Sequence, residues 1–188
     1  MLIREGQPFP AAYLARELDE LPADTDVVEL VPGRQAGAGG LIFEVDPGDS
    51  DPWAGLARPG VMRASGAVSG LMTTPNCDGL CVLVRGTAYL VDVTDRSFRL
   101  VTASVPVMAA APVLPAEVLL LATPWQVIGI GRGGVMWQTK RLAIDGLRLD
   151  EADESRLIGV ADPESAEPRE FVIDLRTGTH EGGALVGP

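Results

Sequence analysis

Four side chains in the last third of the chain have types suited to gripping a ligand: Trp137, Arg141, Asp145 and Asp174. An indole offers a flat face for stacking, and a guanidinium offers a planar fork that pairs bidentately with carboxylate or phosphate. On a strand, Trp137, Thr139 and Arg141 share one face, and Gln138 and Lys140 share the other. If the first face is open, Trp137, Arg141 and the nearby Asp145 grip a planar or anionic ligand. If it is closed, Trp137 is a core residue and Arg141 pairs with an acidic neighbour. Asp174 stands with Arg176 and His180 in a second group. His180 is the only histidine, so any imidazole general base must be this one. It follows a turn in a glycine-rich tail that reads as frayed, and a catalytic base needs a fixed position.

The other constellations are weaker. Cys77 and Cys81 are the only cysteines, spaced C-x3-C; a zinc site takes four ligands, commonly from C-x2-C pairs, so two reduced, partly buried thiols are expected. Asp46, Asp49 and Asp51 place three carboxylates on one loop, but the spacing does not match the EF-hand and no ligating glutamate follows. Gly129–Gly134 is glycine-rich, yet it leads into Val135-Met136-Trp137, a strand signal, whereas a dinucleotide fingerprint must open a helix. Glu44, Asp92 and Asp174 each alternate with apolar residues; as a glycosidase pair they would need a shared cleft and a fixed separation. No metal or cofactor is expected.

The charge narrows the partners. There are 15 Lys and Arg against 26 Asp and Glu, a net charge of −11. Nucleic-acid binding needs a basic face that releases counterions from phosphate, so no nucleic acid is expected. An acidic surface suits a soluble cytoplasmic protein. Met1–Glu5 lacks a basic segment followed by an apolar run, so no signal peptide is read. The longest uncharged run, Val101–Ala116, is too short to span a bilayer and carries three prolines; it reads as strand ends and a connector.

The elements that must position these groups are mainly β. Residues 8–20 read as the one short N-terminal helix, with Tyr13, Leu14 and Leu18 on its apolar side; a weaker helical turn is read at Pro52–Ala57. Strands are read at 26–30, 40–45, 66–72, 80–84, 87–93, 98–103, 117–122, 125–131, 135–144, 156–161 and 169–175. Both faces of the hairpin at Leu80–Val93 are apolar, which marks central strands covered on both sides. Asp145-Gly146, flanked by apolar residues, predicts a type I′ hairpin turn. The acidic run Asp150–Glu154 reads as a solvated bend. The fold class is therefore antiparallel meanders, as propeller-like blades or a sandwich or barrel, in a single β-rich domain over 1–188. A repeat is suggested by units near 66–103 and 117–150, which share a strand, an Arg-Gly turn and a strand with a central aromatic.

The pattern W-x-T-x-R-L-x-x-D-G-L at Trp137–Leu147, followed by F-x-x-D-L-x-T-G at Phe171–Gly178, resembles a segment of uncharacterised bacterial proteins. The resemblance covers about the last third of the chain, implies a β architecture and a bacterial source, and carries no catalytic residue with it. The leading functional expectation is a non-catalytic soluble binding or interaction module with a protein partner or a second copy of itself, small ligands remaining open. The alternatives are a carboxylate-dependent hydrolase with its site near Trp137, or an acidic regulatory or immunity-type protein holding a basic partner.

Overall fold

The computed structural model describes residues 7–33, 36–61 and 64–184. The chain divides into two compact units, the first ending at Val107 and the second starting at Met108. Each unit contains two four-stranded sheets.

In the first unit, β1 (Leu14–Leu18), β2 (Val27–Leu30), β3 (Leu41–Asp46) and β4 (Trp53–Ala57) form a sheet in the order β1-β3-β4-β2. Its pairs are antiparallel except β2 with β4, which run parallel. The second sheet is a simple meander of β5 (Gly70–Thr73), β6 (Gly79–Val84), β7 (Thr87–Asp92) and β8 (Phe98–Thr102). Side chains alternate across a strand, so Leu80, Val82 and Val84 enter one core with Tyr89 and Val91. The opposing sheet contributes Leu30, Phe43, Val45 and Trp53 to that core. All six residues of β6 are buried, as expected for a central strand covered on both faces.

The second unit holds two meanders. The first is β9 (Ala109–Val113), β10 (Val118–Ala122), β11 (Val127–Gly131) and β12 (Gly134–Gln138), with a single 3-10 turn at Leu114–Ala116. The second is β13 (Leu147–Ala152), β14 (Arg156–Ala161), β15 (Arg169–Asp174) and β16 (His180–Gly182). Both run strictly up and down, the strand order of a propeller blade. Val118, Leu120, Val127 and Trp137 from one sheet share a core with Leu157, Phe171 and Ile173 from the other.

One packing device recurs in three of the four sheets. An aromatic ring stands directly across from a glycine: Phe43 from Gly55, Trp137 from Gly129, and Phe171 from Gly159. In each case the ring fills the place a Cβ would take. A glycine weakens a strand, and the ring restores the missing cover.

Several expectations are corrected. Among the described residues there is no α-helix. Residues 8–20 hold β1 instead, paired with β3 from Leu14↔Asp46 to Leu18↔Ile42. A helix would have turned Leu14 and Leu18 inward, but Leu14 is 67% exposed while Phe9 and Tyr13 are buried. Those two are tied down at their polar atoms: Phe9 N–H donates to Thr73 Oγ1 at 2.8 Å, and Tyr13 O–H to the Gly79 carbonyl at 2.7 Å. Long-range pairing overrides local helix propensity here. Pro52–Ala57 is not helical either; Trp53–Ala57 is an interior strand between β3 and β2, and its Gly55 lets the Phe43 ring approach.

Asp145-Gly146 does not close a hairpin. A type I′ turn needs positive φ at both central residues; Gly146 has φ +96°, but Asp145 is not among the residues with positive φ. The segment instead leads from β12 into the next sheet, and the Asp162 carboxylate accepts the backbone N–H groups of Ile144 and Asp145. The φ pair of a type I′ turn occurs at Arg85-Gly86, +48° and +82°, between β6 and β7. Asp150–Glu154 is not all bend, since β13 runs through to Ala152. The tail is not frayed over 180–182, where β16 pairs with β15.

Candidate functional site

The four side chains singled out by type have separate local duties. Trp137 on β12 has no open face: it is 8% exposed, and its Nε1–H donates to the Leu175 carbonyl at 2.7 Å. Its ring lies against Gly129 and Gly178. Arg141 lies beyond the end of β12, so the shared strand face with Trp137 is lost. Its Nε donates to the Ala143 carbonyl at 2.9 Å, and its guanidinium sits 5.3 Å from the centre of the Trp125 ring. Asp145 is exposed, with its backbone N–H on Asp162.

Asp174 caps the β15–β16 turn. Its Oδ1 accepts the N–H groups of Arg176 and Thr177 at 3.0 and 2.8 Å, and the Thr177 hydroxyl at 2.9 Å. Hydrogen bonds from Thr177, first of all its hydroxyl, hold the Asp174 carboxyl below its ordinary value. A carboxylate held ionised in this way is a poor proton donor. Among the described residues no hydrogen bond, ion pair or ring contact joins these four to one another.

The remaining candidates are likewise engaged locally. His180 pairs with Ile173 through the backbone ladder. Cys77 is an exposed free thiol; Cys81 is fully buried, and burial pushes its pKa up to about 12. Asp46 Oδ1 accepts the Gly48 N–H at 2.9 Å, which is turn chemistry. Glu44 pairs with Arg16 at 2.7 Å, and Asp92 Oδ1 accepts the Thr94 N–H at 3.0 Å. Among the described residues no three His, Cys, Asp or Glu groups come together to hold a metal ion.

A concavity of about 300 Å³ lies elsewhere in the second unit. One wall is β9 with its 3-10 extension, carrying Ala111, Pro112 and Val113, then Leu114 and Pro115. The other wall is β13, carrying Leu149, Asp150, Glu151 and Ala152. Leu120 and Leu157 reach it from the core. Both walls are the first strands of their sheets and lie at a sheet edge.

The register explains how two adjacent carboxylates reach one groove. β13 pairs Leu149 with Gly159 and then Glu151 with Ile158, so Asp150 is the extra residue of a β-bulge. A bulge interrupts the alternation of faces and re-aims side chains. Asp150 is held by Arg148 in a two-pronged ion pair, 2.6 Å from Nε and 3.2 Å from Nη2. The Glu151 carboxylate has no ion pair or hydrogen bond among the described residues. Sequence reasoning missed this groove because it took Leu149 for a hairpin end and Asp150–Glu154 for a bend. The usable signal was Leu147 and Leu149 alternating with Arg148, a strand rhythm that continues into the acidic run.

The first unit has a smaller and more polar cleft of about 220 Å³, with Glu17, Asp19, Ser69 and Arg85 on its walls. Arg85 is engaged there, its Nη1 donating to the Ala38 carbonyl at 3.1 Å. Among the described residues no helix is long and apolar enough to cross a membrane.

No protein-family model matches the chain, and no curated protein matches it. Solved structures do. Dihydro-heme d1 dehydrogenase NirN, in complex with DHE, is 15% identical over 84% of this chain and 36% of its own, with a TM-score of 0.48. The N-terminal domain of Nup159 is 15% identical over 97% of this chain and 53% of its own, with a TM-score of 0.41. A complex of S. cerevisiae Dbp5 with Nup159, Gle1, IP6 and ADP matches at 14% identity over 95% of this chain and 52% of that one, with a TM-score of 0.42. The chain thus spans well under two thirds of the length of the structures it resembles.

Proposed function

We propose that this protein is a non-catalytic binding module whose working surface is the groove between β9 and β13. The observation that carries the reading is the lining: an apolar floor of Val113, Leu120, Leu149 and Leu157 beside an unpaired carboxylate on Glu151. A concave apolar site with a few polar groups at its rim is the general form of a binding site. The groups that chemistry would need support the same reading, since Asp174 and Arg141 are spent on their own turns.

The partner is a protein segment. Leu114, at the lip of the groove, is 53% exposed and extends the apolar surface outward. The test is a two-dimensional NMR titration with an extract-derived peptide library fraction, comparing the wild type with Ala152→Trp. Ala152 is an exposed wall residue, so the indole obstructs the groove without touching the core. Shifts confined to residues 111–115 and 149–152, and absent in the variant, are the expected result. Shifts centred on Trp137 and Asp174 instead would favour the hydrolase alternative and sink the groove reading.

A further inference from the structure

We infer that the groove between β9 and β13 takes an Arg or Lys side chain of a partner segment, and takes it without adding a strand to either sheet. The inference rests on the reading of the groove as a binding surface and goes on to name what fills it.

Both walls are edge strands, so addition of a third strand is the first mode to consider. Each wall resists it. β9 carries Pro112 within the strand, paired with Leu119 of β10. A proline in a strand has no N–H to give, and it belongs on the unpaired side of an edge. β13 is broken by the bulge at Asp150, and bulges and charged side chains are the devices that keep edges from pairing. Main-chain recognition therefore fails at the centre of both walls, and a partner enters with a side chain.

The chemistry of that side chain follows from the lining. A volume of about 300 Å³ is at the small end of ligand pockets, room for a side chain and its neighbour rather than a folded element. The floor is aliphatic, and one rim bears Glu151 with no cation of its own. Asp150 differs, since Arg148 already offsets its charge. Arg and Lys have the matching form: an apolar stem that lies along aliphatic surface and a charged head that stays at the wet rim. An acidic side chain would meet Glu151 with repulsion. The net charge of −11 works in the same direction by drawing cationic segments in.

The experiment uses a short, fluorescently labelled, acetylated and amidated peptide alternating Leu and Arg, titrated by anisotropy into the full chain. Matched peptides replace Arg by Gln or by Glu, and a fourth has N-methylated backbone amides. The expected result is binding of the Leu–Arg peptide that weakens with salt, falls about fivefold in Glu151→Gln, disappears in Ala152→Trp and survives N-methylation. Equal binding of the Gln peptide, unchanged by Glu151→Gln but abolished by Ala152→Trp, overturns the cationic occupant and leaves the groove standing. Loss of binding on N-methylation overturns side-chain entry in favour of strand addition. Binding that ignores Ala152→Trp, or no binding by any peptide, overturns both the inference and the groove reading.

Discussion

The two units are each built around a buried tryptophan, and the two tryptophans are held differently. Trp53 in the first unit is 0% exposed, stacks edge-on with Phe43 at 5.9 Å, and has an Nε1 with no hydrogen-bond partner among the described residues. Trp137 in the second unit is almost as buried, but its Nε1 is tied to the Leu175 carbonyl. That bond links β12 of one sheet to the end of β15 in the other. The first indole stabilises by buried area and by ring contacts, edge-on to Phe43 and 6.0 Å from the Arg96 guanidinium, and its N–H adds no tie among the described residues. The second adds a directional tie between sheets. A buried polar atom contributes little net when paired and costs much when stranded, so equal burial does not mean equal dependence on the indole nitrogen.

The bluntest way to probe this contrast is truncation. Trp53→Ala and Trp137→Ala should each destabilise by about 3–5 kcal/mol in urea unfolding, which shows that both rings are core but does not separate them. Gly129→Ala and Gly55→Ala come next, at about 1–3 kcal/mol, because a Cβ at either site overlaps the facing Trp137 or Phe43 ring. A change at either glycine too small to resolve would mean that the rings are free to move aside. The separating experiment is the pair Trp137→Phe and Trp53→Phe. Both lose similar volume, but only the first strands the Leu175 carbonyl, so it should cost about 1–3 kcal/mol more. Equal costs would break the comparison.

The smallest expected effect lies in acid. Asp153 in the second unit accepts N–H groups from Ser155 and Arg156 at 2.7 and 2.9 Å, and these bonds, that of Ser155 first, hold its pKa at about 2 against an ordinary 3.8. A folded value below the unfolded one gives stability that is present above the unfolded pKa and lost as pH falls through the folded one. The urea midpoint should therefore drop between about pH 4 and pH 2, and Asp153→Asn should flatten that limb. Asp95 in the first unit, held low by Ser97, first through its hydroxyl, should give the same sign. An unchanged slope in Asp153→Asn and in Asp95→Asn would remove these caps from the account.

Legibility differed from sheet to sheet rather than between the units. The meanders of β5–β8 and β10–β11 could be read because their pairing is local: alternation and turn residues sit within a few positions of each other, as at Leu80–Val93. The sheet of β1–β4 could not. Its order β1-β3-β4-β2 joins residues far apart in the chain and includes a parallel pair, and nothing near Leu14 or Trp53 announces a partner at Asp46 or Val27. Asp145-Gly146 misled for a related reason, since the dipeptide supplies a positive φ at glycine but the Asp162 carboxylate decides where the backbone goes. What makes Trp137 a core residue and not a ligand platform is its burial, which no alternation pattern supplies. The groove stayed hidden because it needs two edge strands brought side by side and a one-residue slip in register.

The facing ring and glycine pairs also constrain how this sequence can change over time. Phe43 with Gly55 and Trp137 with Gly129 are complementary in volume, whereas at Gly159 the Arg148 backbone carbonyl bars a Cβ as closely as the Phe171 ring does. In the first two pairs a side chain gained at the glycine collides unless the ring shrinks, and a shrunken ring leaves a void unless the glycine grows. Either single step passes through a less stable protein, while the double step conserves volume. Related sequences should therefore differ at both members of a pair or at neither, a signature of epistasis that an alignment could read directly.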